Sequence, residues 1–338
     1  MFMTKAEKLG NLLNGHNIDD INLFRPILMH FAARFNNKTY GEFASDYRVL
    51  VESNMKALEY FDMDMVGLIS DPYRETSAFG AKITFPDEAV PRCEEIIIKN
   101  IDDVKDLKNP DLYSEVRTRD RIEGARYFSR LLKGEVPIIG WIEGPLAEAC
   151  DLAGVSEMLM QLMIDPDFSN ILLDKCMITG KDFARIQMEE GCQIIGMGDA
   201  ICSQIDIDTY DAYIKNRHLE IINYIHECGG IVKLHICGDI THLLPSIKDL
   251  KVDILDLDWQ VDLDVAYKIL GPDVVRCGNI DPIQVLNESA EEIETLTSHI
   301  LQKEHGKKHI ISAGCEIIVN TPLENLMAIR KASNKYQL

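Results

Sequence analysis

Short, nearly continuous apolar runs alternate with longer amphipathic stretches along the whole chain. Strands that are buried on both faces of a parallel sheet have this continuous apolar character. The stretches between them, such as SEMLMQLMIDP (156–166) and SAEEIETLTSHILQK (289–303), have helical spacing, and Ser289 before acidic residues predicts an N-cap. The eight runs are RPILMHF (25–31), DMVGLIS (64–70), VPIIGWIE (136–143), CQIIGMGD (192–199), GIVKLHIC (230–237), VDILDLDW (252–259), DVVRCGNI (273–280) and KHIISAGC (308–315).

Eight strands that alternate with helices predict a (β/α)8 TIM barrel, with a doubly wound open sheet as the alternative. The chain has no internal repeat and no stretch rich in Gly, Ser or Pro that would separate domains, so we expect residues 1–338 to form one barrel domain. Residues 72–135 are too long for one crossover. They contain GAKITFPDEAVP, which predicts an inserted hairpin over the barrel mouth.

The composition narrows the possible partners and the compartment. A hydrophobic content of 46% and a charged content of 27% are typical of a folded domain, and the net charge of −20 argues against nucleic acid or an anionic membrane as a partner. No apolar run approaches the roughly 20 residues of a membrane span, and the start MFMTKAEKLG has no signal-peptide core. Nine irregularly spaced cysteines do not indicate a disulfide framework. We therefore expect a cytoplasmic protein.

The ends of the apolar runs carry polar or reactive side chains. In a parallel barrel the carboxyl ends of the strands share one rim, and catalytic groups collect there. This pattern favours an enzyme over a binding scaffold. The end residues are His30, Asp71, Glu143, Asp199, Cys237, Asp258, Asn279 and Cys315.

The segment KLHICGD (233–239) raises the question of a metal. His235 and Cys237 are two positions apart, so on a strand they point to the same face. Cys315, at the end of the eighth run, could supply a third ligand, and one imidazole with two thiolates suits zinc with an open fourth position. The fifth and eighth strands are not neighbours, so these side chains would have to converge across the mouth. A core histidine beside a buried thiol is the alternative.

Several segments resemble the uroporphyrinogen decarboxylase superfamily. They are KLHICGD, VVRCGNIDP, SAGCEIIVNTPLENL, VPIIGWIEGPLAEACDLAG, GCQIIGMGDAICSQI and FDMDMVGLISDPYRETSAFGAKITFPDEAVP. More narrowly they are similar to its zinc-dependent branch, the methylcobamide:coenzyme M methyltransferases and related corrinoid-dependent enzymes. That resemblance implies a (β/α)8 barrel, zinc held by His235, Cys237 and Cys315, and a corrinoid carried by a partner protein.

The resemblance also implies a reaction. A thiol such as coenzyme M, deprotonated on zinc, would take a methyl group from methyl-cobalt(III) corrinoid, and the reverse direction would demethylate a small methylated substrate. Glu143 and Asp199 end barrel strands and are candidates to line the site, as fourth ligand or as partners that orient a ligand. Their alternative is a solvated or salt-bridged strand end. Asp71 and Asn279 lie in segments shared by both branches and are weaker candidates for cofactor binding, with a structural role as the alternative.

Two other functions remain open. The first is a metal-free tetrapyrrole decarboxylase of the uroporphyrinogen type. The motif LDW at residues 257–259 resembles the corresponding segment of these decarboxylases. Its members carry an arginine-rich opening segment, whereas RPILMHFAARF here keeps Arg25 and Arg34 but lacks the internal arginine, and Cys315 stands where they have a histidine. The second is a non-catalytic corrinoid- or metal-binding partner, which would have no need of an open thiolate site.

Overall fold

Eight parallel strands form one curled sheet in the order β1-β10-β9-β8-β7-β6-β5-β2. Each strand lies beside the next parallel strand along the chain, and the edges meet where the Asp64 N–H donates to the Phe24 carbonyl at 2.9 Å. The computed structural model, which describes residues 3–335, therefore confirms the predicted (β/α)8 barrel and rules out the open sheet. The barrel strands are β1 (Leu23–Phe24), β2 (Val66–Gly67), β5 (Ile138–Glu143), β6 (Ile194–Gly198), β7 (Ile231–His235), β8 (Ile254–Asp256), β9 (Val275–Ile280) and β10 (His309–Ala313).

Seven apolar runs contain their strand, but the first does not. Strand β1 ends at Phe24, just before the run at 25–31, so the prediction of a strand there is wrong. The Arg25 N–H still donates to the Ile311 carbonyl at 3.1 Å. Pro26 has no N–H to continue the ladder, and Ile27 pairs with Glu316 only as an isolated bridge before a helix begins at His30.

The sequence of each strand is apolar throughout because both faces are buried. In β5, Ile139 and Trp141 belong to an inner core within the barrel, whereas Ile138 and Ile142 belong to the outer core between sheet and helices. Glu143 continues the inner face to the mouth. Polar residues on this face therefore collect at the carboxyl ends of the strands.

Seventeen helices surround the barrel within residues 3–335. Several of them begin with an N-cap residue of the type that a sequence motif predicts. The predicted cap at Ser289 is present: its hydroxyl accepts from the Glu292 N–H, and the Glu292 carboxylate accepts from the Ser289 N–H. The helices are α1 (Lys5–Leu13), α2 (His30–Phe35), α3 (Tyr40–Ser45), α4 (Tyr47–Phe61), α5 (Arg74–Ala78), α6 (Ile101–Asp106), α7 (Val116–Leu132), α8 (Pro145–Ala153), α9 (Val155–Ile164), α10 (Pro166–Glu189), α11 (Ile207–Thr209), α12 (Lys215–Glu227), α13 (Leu244–Lys248), α14 (Leu263–Leu270), α15 (Pro282–Asn287), α16 (Ala290–Lys303) and α17 (Leu323–Lys335). None of them, over the described part of the chain, is both long and apolar enough to cross a membrane.

The stretch 72–135 contains α5, an antiparallel hairpin, α6 and α7. The hairpin strands are β3 (Ile83–Thr84) and β4 (Arg92–Cys93). Its turn lies against the segment that follows β1, because the Tyr40 N–H donates to the Asp87 carbonyl at 2.7 Å and His30 lies 3.6 Å from the Glu88 carboxylate. The hairpin thus sits beside the mouth, and α7 returns the chain to β5.

Candidate metal centre

His235, Cys237 and Cys315 converge at the barrel mouth. The His235 Nε2 lies 3.0 Å from the Cys237 Sγ and 4.0 Å from the Cys315 Sγ, and the two sulfurs are 3.6 Å apart. His235 ends β7, and each cysteine lies two residues beyond the end of its strand. The three side chains that the sequence analysis combined therefore share one point in space.

Glycines allow this convergence although β7 and β10 are separated by β8 and β9. After Cys237 the chain turns at Gly238, whose φ of +87° is unfavourable for other residues. Before Cys315 it passes the loop that follows β8, and a Cβ on Gly314 would lie only 2.5 Å from the Trp259 nitrogen. The β10 segment can therefore lean across the rim towards Cys237.

The spacing of the three donor atoms fits a tetrahedral zinc ion. Zn–S bonds of about 2.3 Å and Zn–N bonds of about 2.0–2.1 Å at tetrahedral angles require about 3.8 Å between two sulfurs and about 3.6 Å between sulfur and nitrogen. The observed sulfur–sulfur separation of 3.6 Å is close to the first value, and the sulfur–nitrogen separations of 3.0 and 4.0 Å lie on either side of the second. The donor set, an imidazole and two thiols, is one that zinc prefers.

One hydrogen bond links the side chains of Cys237 and Cys315, whose sulfurs are 3.6 Å apart. A hydrogen bond from Cys237, supported by His235, outweighs burial and lowers the pKa of Cys315 to about 4. The same hydrogen bond, together with burial, raises the pKa of Cys237. Burial disfavours the charged imidazole, but hydrogen bonds to Asp256 and Cys315 raise the pKa of His235 to about 9. One sulfur is therefore already a thiolate at neutral pH.

Asp256 fixes the orientation of His235, and the sequence analysis did not select it. Its Oδ2 lies 2.9 Å from the His235 Nδ1 and also contacts the Lys233 ammonium. The carboxylate is 4% exposed and Lys233 is fully buried. Burial is outweighed by Lys233 and His235, which hold the pKa of Asp256 below its usual range. With Nδ1 engaged, the Nε2 of His235 faces the cysteines, as in many metal sites.

Asp258 holds the loop beside the cysteines in place. Its Oδ2 accepts from the Gly238 N–H at 2.7 Å and its Oδ1 from the Trp259 N–H at 2.7 Å. Asp256 and Asp258 alternate in VDILDLDW and so point to the same inner face. Asp258 is one of the strand-end residues named above, and its alternation with Asp256 is the signal that could have drawn attention to Asp256.

Glu143 lies at the mouth but is separated from the three ligand candidates by Trp141. Its Oε1 accepts from the Arg74 Nη2 at 2.6 Å and from the Trp141 Nε1 at 3.1 Å. The Trp141 ring lies 6.0 Å from the His235 ring. Burial raises the pKa of Glu143 well above its ordinary value, against the effect of Arg74.

Asp199 turns away from the mouth, since it caps the first turn of α8. Its carboxylate accepts from the N–H groups of Ala147 at 2.7 Å and Leu146 at 3.3 Å. The His218 Nε2 lies 2.8 Å from its Oδ2, and both side chains are fully buried. Asp199, Cys202 and His218 form a second group with metal-ligand atoms, but it is sealed in the core and its carboxylate is already hydrogen-bonded.

Asp71 and Asn279 are both engaged within the protein. Asp71 is paired with Arg117 and accepts from the Ser70 hydroxyl at 2.5 Å. Burial is outweighed by Arg117, which lowers the pKa of Asp71 to about 2. The Asn279 Nδ2 donates to the carbonyls of Asp258 at 3.2 Å and Val261 at 2.7 Å, so it satisfies backbone groups at the turn after β8.

A buried acidic cluster around Arg74 also escaped the sequence analysis. Glu75 lies 3.6 Å from the Arg74 Nε and accepts from the Glu143 N–H at 2.9 Å. Burial raises the pKa of Glu148 well above its ordinary value and that of Asp151 to about 8. These acids lie on helices in RETSA and PLAEACDLA, where nothing in the sequence marks them as neighbours.

Comparisons with known proteins place this geometry in context. The profile of the uroporphyrinogen decarboxylase (URO-D) family matches residues 4–336. The uroporphyrinogen decarboxylase of Geobacter sulfurreducens is 25% identical over 297 residues, which cover 85% of this chain and 84% of that protein. The methylcobamide:CoM methyltransferase MtbA of Methanosarcina mazei is 27% identical over 267 residues, covering 78% and 77%. A solved structure of a methyltransferase from Methanosarcina mazei shares the fold, with a TM-score of 0.91 over 99% of both chains at 19% identity.

Proposed function

The chain belongs to the uroporphyrinogen decarboxylase (URO-D) family, and within it we propose a zinc-dependent methyltransferase. The enzyme moves a methyl group between a corrinoid carried by a partner protein and a thiol such as coenzyme M, or runs in the reverse sense on a methylated small molecule. The observation that carries the proposal is the convergence of one imidazole and two thiols within 4.0 Å of one another at the mouth. The methyltransferase relative, whose name specifies methylcobamide and CoM, supports it.

The residues of the site have separable tasks. A zinc ion held by His235, Cys237 and Cys315 would leave a fourth position open and lower the pKa of a thiol bound there. Asp256 keeps the Nε2 of His235 directed towards the two cysteines, where the zinc ion would lie, through its bond to Nδ1. Trp141, 2% exposed, lies against Gly198 and forms an apolar floor beside His235. This floor excludes water from the side of the site that faces the barrel interior.

Metal content tests the proposal directly. The purified chain should contain about one zinc ion, and Cys237→Ala and Cys315→Ala should each lose it. Cys192→Ala is the matched control, because Cys192 is also a free cysteine but is buried away from the three ligands. The zinc-loaded chain should then demethylate methylcobalamin with a thiol such as coenzyme M. Absence of zinc, or zinc that is indifferent to the loss of Cys315, would contradict the proposal.

A metal-free tetrapyrrole decarboxylase is the second candidate, and the Geobacter relative favours it. Of the two arginines that the opening segment retains, only Arg34 is exposed and could meet a polyanionic substrate. Arg25 is 3% exposed within the barrel, and Arg34 is bonded to Asn320. This candidate predicts turnover of uroporphyrinogen that survives complete removal of zinc, whereas the methyltransferase predicts none.

A further inference from the structure

Trp259 stands at the rim of the mouth with 49% of its surface exposed, whereas the other tryptophan of the chain, Trp141, is 2% exposed. A half-exposed indole leaves much apolar area in water, and such residues are enriched where proteins bind partners and flat ligands. We propose that Trp259 is the platform on which the corrin macrocycle lies when it meets the metal centre. This inference rests on the proposed function and assigns the contact for its second substrate.

The turn that carries Trp259 is fixed before any ligand arrives. The Val261 N–H donates to the Asp258 carbonyl at 3.0 Å, and the Trp259 N–H donates to the Asp258 carboxylate at 2.7 Å. The Asn279 side chain, on β9, donates to the carbonyls of Asp258 and Val261, which flank the pair Trp259–Gln260. A platform held in this way loses little conformational freedom when it binds.

The same turn lies between the two cysteine segments. The carboxylate of Asp258 accepts from the N–H of Gly238, which follows Cys237. On the other side, Gly314 packs against the backbone of Asp258 and Trp259 and is followed by Cys315. The turn that carries Trp259 is therefore joined to the Cys237 segment through the Asp258 carboxylate and to the Cys315 segment through backbone packing. A ligand that rests on the indole is held beside the cysteines.

A second exposed apolar residue lies on the same side of the barrel. Ile283, 56% exposed, lies in the first turn of α15, directly after β9. Because β8 and β9 are adjacent, Trp259 and Ile283 follow neighbouring strands on the mouth side of the barrel. We call these two residues the rim patch.

The rim patch suits one of the two substrates. A small thiol binds at the metal and cannot reach far along the rim, whereas the macrocycle must span the mouth to bring its methyl group to the sulfur. The corrin face is broad and apolar, as an indole and an isoleucine require.

The test measures binding of methylcobalamin to the zinc-loaded full chain by equilibrium dialysis in the dark, together with transfer of its methyl group to coenzyme M. Trp259→Ala should raise the Kd and the KM for methylcobalamin about tenfold, with zinc content, kcat and the KM for the thiol unchanged. Trp259→Phe, which keeps an aromatic face, should stay within about threefold. Ile283→Ala tests the part of the rim patch that lies on α15 and should raise the Kd for methylcobalamin about threefold. Tyr60→Ala is the control, since Tyr60 is 52% exposed near the carboxyl end of α4.

The outcomes separate this inference from the proposed function. If the unsubstituted chain binds and demethylates methylcobalamin while Trp259→Ala and Ile283→Ala bind it equally well, the platform is wrong and the methyltransferase stands. If the zinc-loaded unsubstituted chain neither binds nor demethylates methylcobalamin, the proposed function falls and the platform falls with it. A rise in Kd for Tyr60→Ala equal to that of Trp259→Ala would also overturn the assignment.

Discussion

Replacing Asp256 with asparagine should weaken metal binding although all three candidate ligands remain. Asp256 accepts from the His235 Nδ1 at 2.9 Å and pairs with the Lys233 ammonium, and all three side chains are buried. The neutral amide cannot provide the charged acceptor that orients the imidazole. It also leaves the ammonium of Lys233 without a counter-ion.

The structure separates these two effects in magnitude. Loss of an acceptor behind a metal-bound histidine typically costs 10–100-fold in metal affinity. Here one of three ligands is affected and both sulfurs keep their positions, so we expect about tenfold to thirtyfold, or about 1.4–2 kcal/mol. Breaking the buried pair between Asp256 and Lys233 should lower the free energy of unfolding by about 3–5 kcal/mol.

A double substitution distinguishes orientation from charge. Lys233→Met removes the unpaired ammonium, so Asp256→Asn/Lys233→Met should regain most of the lost stability in urea denaturation. Its zinc affinity, measured by competition with a chromophoric chelator, should stay about tenfold below that of the unsubstituted chain. Recovery of zinc affinity along with stability would refute the role given to Asp256. An Asp256→Asn chain that binds zinc within twofold of normal would refute it as well.

Three further predictions concern other parts of the structure. Gly314→Ala would place a Cβ 2.5 Å from the Trp259 nitrogen. It should lower the free energy of unfolding, measured in denaturant, by about 1–3 kcal/mol and should lower the zinc content. As a control, Gly10→Ala in α1 meets nothing within 4 Å and should raise the free energy of unfolding by about 1 kcal/mol. Burial raises the pKa of Asp151 to about 8, so the folded chain binds a proton that the unfolded chain releases. Its contribution to stability is complete below about pH 4 and is lost as the pH rises to 8, by up to about 1.4 kcal/mol per pH unit, and Asp151→Asn should flatten this slope. Burial raises the pKa of Glu148 well above its ordinary value and so favours the neutral form. Glu148→Gln, which imitates that form, should change the free energy of unfolding at pH 7 by less than about 1 kcal/mol, and a loss above about 2 kcal/mol would show that the ionised form is needed.

The barrel could be predicted because its strands are buried on both faces, which leaves a continuous apolar run that one sequence is enough to show. The exception is instructive. The run at 25–31 is apolar because it is buried under the mouth, yet Pro26 and the helix that begins at His30 prevent it from joining the ladder. Apolar character reports burial, and hydrogen-bonding capacity decides whether buried chain becomes a strand.

The three candidate ligands were within reach of the sequence because two of them alternate on one strand and the third ends another. The contacts made by the residues that support these ligands could not be predicted from the sequence. Lys233 lies in the apolar strand β7 and Asp256 ends β8, so the register between the two strands is needed to bring His235 and Asp256 opposite each other. Which residues face each other across two strands depends on the register of the sheet, and the pattern within each strand does not specify that register.

Glu143 and Asp199 show that two acidic strand ends can meet different surroundings. Both are acidic, and both follow an apolar strand. At Asp199, however, the chain leaving β5 passes so close that a side chain on Gly144 would collide with the carboxylate, and the first N–H groups of α8 take both its oxygens. A helix amino terminus offers unpaired N–H groups that bind a carboxylate tightly. At His235 the neighbouring strand instead offers Asp256, which engages Nδ1 and leaves Nε2 facing the two cysteines. Whether a strand-end side chain serves the fold or the site is thus decided by the loop of the adjacent strand.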